Sequence, residues 1–131
     1  MNHKNNHSRL GSPKIAKVYR FDDLAEEWLS DKVSRRLVTG DKIMLGYIVL
    51  KKGCVVPFHK HPNEQMTIVL KGALEFTIDG KRMLVKEGEV LAIPSNVEHK
   101  AEALEDTIDL DCFSPPREDW LSGKDKYLRD T

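Results

Sequence analysis

The sequence predicts an all-β fold built from short antiparallel strands, a barrel or a sandwich. Two observations carry this: apolar residues recur with a period of two, and glycine turns separate those runs at intervals of about 8 to 12 residues. The turns are chemically explicit. Asp79-Gly80 and Glu87-Gly88 place residues tolerant of positive φ between strand-forming runs, as tight reversals require.

Residues 1–14 read as a leader of polar and basic side chains whose only large apolar residue after Met1 is Leu10. Such a composition does not offset its ordering entropy, so a mobile segment is expected there, with His3 and His7 solvated. Residues 15–131 are read as one domain. Phe21, Leu24, Ala25, Trp28 and Leu29 recur at helical spacing and predict a short N-terminal helical segment within 21–32. Ile43, Leu45, Tyr47 and Val49 then alternate with Met44, Gly46, Ile48 and Leu50, a strand apolar on both faces. Leu74, Phe76 and Ile78 alternate with polar neighbours in a half-buried strand, which Asp79-Gly80 turns back into 81–86. Residues 89–93 and 107–113 form the next strands. Ser114-Pro115-Pro116 ends the pairing, and one helical turn is expected over 117–121.

A chain of 131 residues buries roughly two thirds of its surface on folding, enough for one core without staples. Basic and acidic residues balance at 21 each, so the basic footprint of a nucleic-acid binder is missing. No apolar run approaches the roughly 18 residues of a membrane span. The first residues lack the hydrophobic segment of a secretory signal. Cys54 and Cys112 match neither a zinc spacing nor a disulfide framework. A reduced, cytoplasmic protein is expected.

Three histidines belong to the body of the chain. His59 and His61 stand at i and i+2 in the extended segment Val55-Val56-Pro57-Phe58-His59-Lys60-His61, so both imidazoles share a face and Lys60 takes the other. That geometry suits two neighbouring ligands of one metal ion. His99 begins a later strand, where pairing can bring it opposite the first two. Alone, a pair of this kind occurs by chance on surface strands; its glycine and proline frame gives it weight.

Gly53-x5-His59-x-His61-x3-Gln65-x6-Gly72 resembles the first cupin motif, and Gly88-x5-Pro94-x-Asn96-x2-His99 resembles the second. The resemblance runs from about Arg35 to Asp119. It implies a cupin double-stranded β-helix, a jelly-roll barrel with a metal site inside its mouth. Two positions depart from the usual pattern. Asn96 replaces a glycine, a mild change because Asn tolerates the left-handed region. Gln65 stands where an acidic ligand is usual. Glu64 is adjacent, but a slip of one residue reverses the face, so Gln65 is in register and Glu64 is read as solvated or supporting. The implied ligand set is His59, His61, Gln65 and His99. All four are neutral, so a divalent transition ion keeps its full charge and acts as a stronger Lewis acid. Imidazole and amide oxygen suit Ni, Zn, Fe or Mn. Cys54 lies out of phase and is read as a small hydrophobe.

In the last strand Ile108, Leu110 and Cys112 share one face, while Asp109, Asp111 and Phe113 share the other. A carboxylate two residues from an aromatic fits a pocket; a solvent-facing strand with charged teeth is the alternative. The strings HPNEQ and DLDCFSPPRED resemble the single-domain cupins of pectin degradation, the KdgF-like group. That resemblance implies opening of an unsaturated 4,5-uronate monosaccharide to a linear keto acid. It also implies Asp111 as acid/base, Phe113 as an aromatic wall and Arg117 as a clamp for an anionic small-molecule substrate. For Arg117 the alternative is a surface ion pair with Glu118 or Asp119. A cupin dioxygenase using Fe(II) and a non-catalytic metabolite-binding cupin are the competing functions. The apolar strand 43–50 predicts a homodimer formed sheet against sheet. Trp28 joins that interface or caps the barrel, with the cap preferred.

Overall fold

A computed structural model describes residues 15–129. The leader expected over residues 1–14 lies outside the described residues. The described residues hold ten strands and one short α-helix. The strands are β1 (Glu27–Trp28), β2 (Val33–Thr39), β3 (Met44–Leu50), β4 (Val55–His59) and β5 (Glu64–Lys71). They continue with β6 (Ala73–Ile78), β7 (Lys81–Lys86), β8 (Val90–Ile93), β9 (His99–Ala103) and β10 (Thr107–Ser114), before α1 (Glu118–Ser122). A six-stranded sheet runs β1-β2-β3-β10-β5-β8 and a four-stranded sheet runs β4-β9-β6-β7. The strand pairs are antiparallel.

The period of two appears directly in the burial. Met44, Ile48 and Leu50 of β3 point inward and are buried, while Leu45, Tyr47 and Val49 are half-buried on the outside. Leu37 and Val69 join them from one sheet, and Leu74, Phe76 and Val85 from the other, forming the core between the sheets. The hairpin at Asp79-Gly80 has positive φ at both residues, 52° and 74°. Asn96 likewise stands at φ 62°.

Gly72 is required for a second reason. Its φ is +92°, and a Cβ there would lie 2.5 Å from both the Asp106 carbonyl oxygen and Thr107 Oγ1. Gly72→Ala is therefore expected to cost on the order of 2 kcal/mol or more, combining strained φ with overpacking against backbone. Urea unfolding checks this, with Gly80→Ala as control, because nothing lies within 4 Å of a Cβ at Gly80.

The helical segment expected over 21–32 does not form. A single 3₁₀ turn occupies Phe21–Asp23 and the chain then runs extended into β1. Helical spacing is outweighed by pairing: Glu27 and Trp28 add an edge strand against Arg35 and Ser34. The acidic side chains then serve the neighbouring strand, with Glu27 bonding Arg35 Nε at 2.9 Å and Glu26 accepting from Ser34 at 2.8 Å. Trp28 caps nothing; it is half exposed, with Lys51 Nζ 5.5 Å above its ring.

The helical turn after the prolines is present as α1, ended by Gly123 at φ 72°. Beyond it the chain is anchored to the barrel by a buried ion pair, Arg35 Nη1 to Asp125 Oδ2 at 2.9 Å and Nη2 to Oδ1 at 3.0 Å. Trp120, Tyr127 and Leu128 thereby come to line the inner cavity. No helix among the described residues is long and apolar enough to cross a membrane.

Candidate metal centre

The two sheets contribute to one site. His59 ends β4 and faces His99, the first residue of β9, directly across the ladder. His61 follows two residues after His59, outside the strand, where its carbonyl accepts from Asn96 N–H at 2.8 Å. Asn63 Nδ2 donates to the Pro115 carbonyl at 2.6 Å, which fixes this connection to the proline turn after β10. Gln65 comes from the opposite sheet, on β5, paired with Phe113 of β10. Gln65 is buried and Glu64 exposed, as strand parity demands. One ligand atom from each of His59, His61 and His99 lies within 4.8 Å of the others.

Hydrogen bonds determine which atoms face the centre. His59 Nδ1 lies 2.8 Å from the Pro57 carbonyl, His61 Nδ1 3.0 Å from that of Asn63, and His99 Nδ1 2.8 Å from that of Val97. A carbonyl oxygen only accepts, so each Nδ1 carries the proton and each Nε2 keeps a bare lone pair. Burial pushes His59 down to about 3 and His61 to about 4, and lowers His99 too, so all three rings are neutral at neutral pH. His99 Nε2 is buried with no hydrogen-bond partner among the described residues.

Gln65 is oriented in the same way. Thr67 gives its one proton to Asp111 Oδ1 at 2.7 Å, and Gln65 Nε2 donates to Thr67 Oγ1 at 2.8 Å. Gln65 Oε1 consequently points at His61 Nε2, 3.0 Å away. Two unprotonated acceptors that close repel unless a cation lies between them. Ligand atoms each about 2.1 Å from a metal and at right angles to one another are about 3.0 Å apart, so the donor set fits a divalent ion.

Around this centre lies a pocket that opens to solvent at the barrel mouth. Its polar lining includes His59, Gln65, His99, Asp109, Asp111 and Arg117. Asp109, Asp111 and Phe113 face inward and are buried, so the charged-teeth alternative for β10 does not hold. Burial raises Asp111 to about 6, opposed by its hydrogen bonds from Thr67 and Asp109 and by the charge of Arg117.

Arg117 is only 2% exposed. It is also paired: Nε and Nη2 donate to the Asp119 carboxylate at 3.1 and 2.6 Å. Burial pushes Asp119 up, but these bonds outweigh it and hold the carboxyl below its usual range. The guanidinium lies 5.1 Å from the Phe113 ring centroid, 4.7 Å from that of Trp120 and 5.5 Å from that of Tyr127. Arg117 thus pairs with Asp119, as the ion-pair reading expected, but as a buried residue that also lines the pocket.

Sequence reasoning did not nominate Thr67, Asp109, Trp120, Tyr127 or Leu128. Thr67 and Asp109 carried a signal, because each lies two residues from a nominated residue on the same strand face. The others carried none. Tyr127 stacks on His59 at 4.0 Å between centroids and 15° between planes, and its hydroxyl accepts from Trp120 Nε1 at 2.8 Å.

Comparison with known proteins gives relatives of the same fold. The cupin domain family model matches residues 46–114. Pectin degradation protein KdgF of Dickeya dadantii (strain 3937) is 31% identical over 103 residues, covering 76% of this chain and 94% of that protein. The structure of KdgF from Halomonas sp. superposes with a TM-score of 0.76 at 25% identity, over 81% of this chain and 99% of that one. An RmlC-like cupin from Shewanella frigidimarina NCIMB 400 gives 0.74 at 25% identity, over 80% and 96% of the two chains. With its two facing antiparallel sheets and its three-histidine group, this chain belongs to the cupin family, and within that family it resembles KdgF.

Proposed function

We propose that this protein opens the ring of an unsaturated 4,5-uronate monosaccharide, giving the linear keto acid. The observation that carries this reading is a group of three bare imidazole nitrogens at a pocket that His59, His99, the buried Asp111 carboxyl and the buried Arg117 guanidinium all line. In such a substrate the C1 hydroxyl loses a proton, C1 becomes a carbonyl as its bond to the ring oxygen breaks, and the freed oxygen remains as the enol at C5. C4 then takes a proton and C5 becomes the ketone. The product is an isomer, so no co-substrate is consumed.

Asp111, as carboxylate, takes the hydroxyl proton and returns one to C4, a role worth about 10²–10⁴-fold. Arg117 holds the substrate carboxylate from the side that Asp119 leaves open. Phe113 gives the sugar an apolar wall. A divalent ion on His59, His61, Gln65 and His99 would supply positive charge to stabilise developing negative charge on oxygen.

The test is to load the purified protein separately with Ni, Zn, Fe and Mn and add an unsaturated uronate. The conjugated absorbance should disappear and NMR should show the keto acid at unchanged mass. No turnover with any metal in a folded, loaded protein refutes the reading. Oxygen uptake confined to the iron-loaded form points instead to a dioxygenase. His99→Ala is expected to cost more metal affinity than the roughly 10- to 100-fold typical of losing a supporting partner, checked by elemental analysis after dialysis.

The assembly we propose is a homodimer on the outer face of the six-stranded sheet. Leu45, Cys112 and Met66 lie side by side there, as do Tyr47, Leu110 and Ile68. Met66 and Val90 are exposed. An apolar face of this kind is self-complementary about a two-fold axis. Light scattering should give a dimer, and Leu110→Lys should give a monomer. A monomeric wild type overturns the assignment.

A further inference from the structure

We propose that Asp109 is a positioning residue: a neutral carboxylic acid that donates a hydrogen bond to Asp111 and, with Thr67, holds the acid/base carboxylate from two sides. This deepens the ring-opening reading and rests on it.

The geometry begins with strand parity. Asp109 and Asp111 are i and i+2 on the inward face of β10, both are buried and line the pocket, and their carboxyls act on one another there. Asp109 is 4% exposed, and its Oδ1 has no partner among the described residues. A buried carboxylate with one oxygen bare and no cation beside it is among the costliest arrangements in a protein interior, whereas the protonated acid places its one donor usefully.

Among the described residues no cationic side chain pairs with Asp109. Opposite it, β3 presents Ile48 and β5 presents Val69. Opposite Asp111 stand Gly46 and Thr67. Arg117 acts on Asp111, and the three histidines across the pocket are neutral. Burial and the charge of Asp111 both raise Asp109 well above the usual carboxylate range. The proposed bond from Asp109 to Asp111 extends two observed ones, Gln65 to Thr67 at 2.8 Å and Thr67 to Asp111 at 2.7 Å. Together they connect the metal-facing amide to the proton-transferring carboxylate and leave Asp111 two accepted bonds that favour its charged form.

Two variants separate this role from mere packing. Asp109→Asn keeps a donor of the same shape, while Asp109→Val removes it at similar volume. With fold and metal content confirmed, Asn should stay within about threefold of wild-type kcat/KM, with its acid limb unmoved. Val should move that limb up by about one pH unit and lower kcat/KM by about tenfold at pH 5, well below both limbs, since losing a donor to a carboxylate raises its pKa. An independent readout needs no substrate: carboxyl-carbon NMR of the zinc-loaded, Asp-labelled full chain. The Asp109 carbon should keep its protonated shift throughout the range in which Asp111 titrates, and Asp111 should titrate higher in the Val variant. Asn behaving like Val, or an Asp109 carbon that ionises before Asp111 does, overturns the proposal. Absence of uronate turnover with the NMR result intact refutes only the ring-opening reading.

Discussion

Asp111→Asn is expected to lower kcat on an unsaturated uronate by about 10²–10⁴-fold, the contribution of a positioned acid/base group, with metal content unchanged. The substitution is nearly isosteric. Its amide oxygen still accepts from Thr67 Oγ1, so Thr67 goes on holding Gln65 in place. What disappears is the ability to take a proton. Burial lifts Asp111 to about 6. The reactive form is the carboxylate, so wild-type kcat/KM should rise with pH through that region and then level off. Stability runs the other way. A carboxyl whose folded pKa exceeds its unfolded one binds its proton more tightly when folded, so its stabilising contribution is present at low pH and is lost as pH rises through about 6. The Asn variant should therefore be no less stable than wild type at pH 8. Steady-state rates with elemental analysis, and urea unfolding at pH 5 and 8, check both halves. An unchanged rate removes Asp111 from the mechanism.

That Asp111 faces the pocket was readable before any coordinates, because alternation along β10 is rigid: one aromatic and two acids on one parity leave little choice of face. Gln65 was readable for the same reason, since a slip to Glu64 would have turned every neighbour around. The histidines needed a second strand to meet them, and the glycine frame supplied that register. Three features escaped. The apolar residues between Phe21 and Leu29 do follow helical spacing, yet backbone pairing with β2 and the pull of Arg35 on Glu27 decide the outcome, and neither is local. The donor chain through Asp109 had the right parity, but sequence does not show that no cation sits beside it. The C-terminal wall carried no local pattern at all. Tyr127 meets His59 from a segment that Asp125 ties to Arg35, 90 residues away along the chain.

The bond between those last two residues predicts the largest change in stability. Asp125→Ala is expected to destabilise the protein by about 3–5 kcal/mol, because it leaves a charge buried without its main partner. Both side chains of the pair are fully buried. After the substitution Arg35 keeps Glu27, itself partly exposed, the Trp120 carbonyl at 3.5 Å and the face of the Trp120 ring. These cannot replace a two-pronged carboxylate. The segment from Lys124 to Arg129 should then come free, and trypsin should cut at Lys124 and Lys126 far faster than in wild type. Release would strip Tyr127 from His59 and Leu128 from the pocket, so metal affinity and KM should both suffer. The double substitution Arg35→Met with Asp125→Leu separates charge from packing. Replacing a buried ion pair by apolar residues of similar size is often neutral or stabilising by about 1–4 kcal/mol, so it should recover most of the loss and restore protease resistance. If the single variant melts like wild type and resists trypsin, something other than this pair holds the wall, and the Tyr127 stack on His59 becomes the next contact to remove.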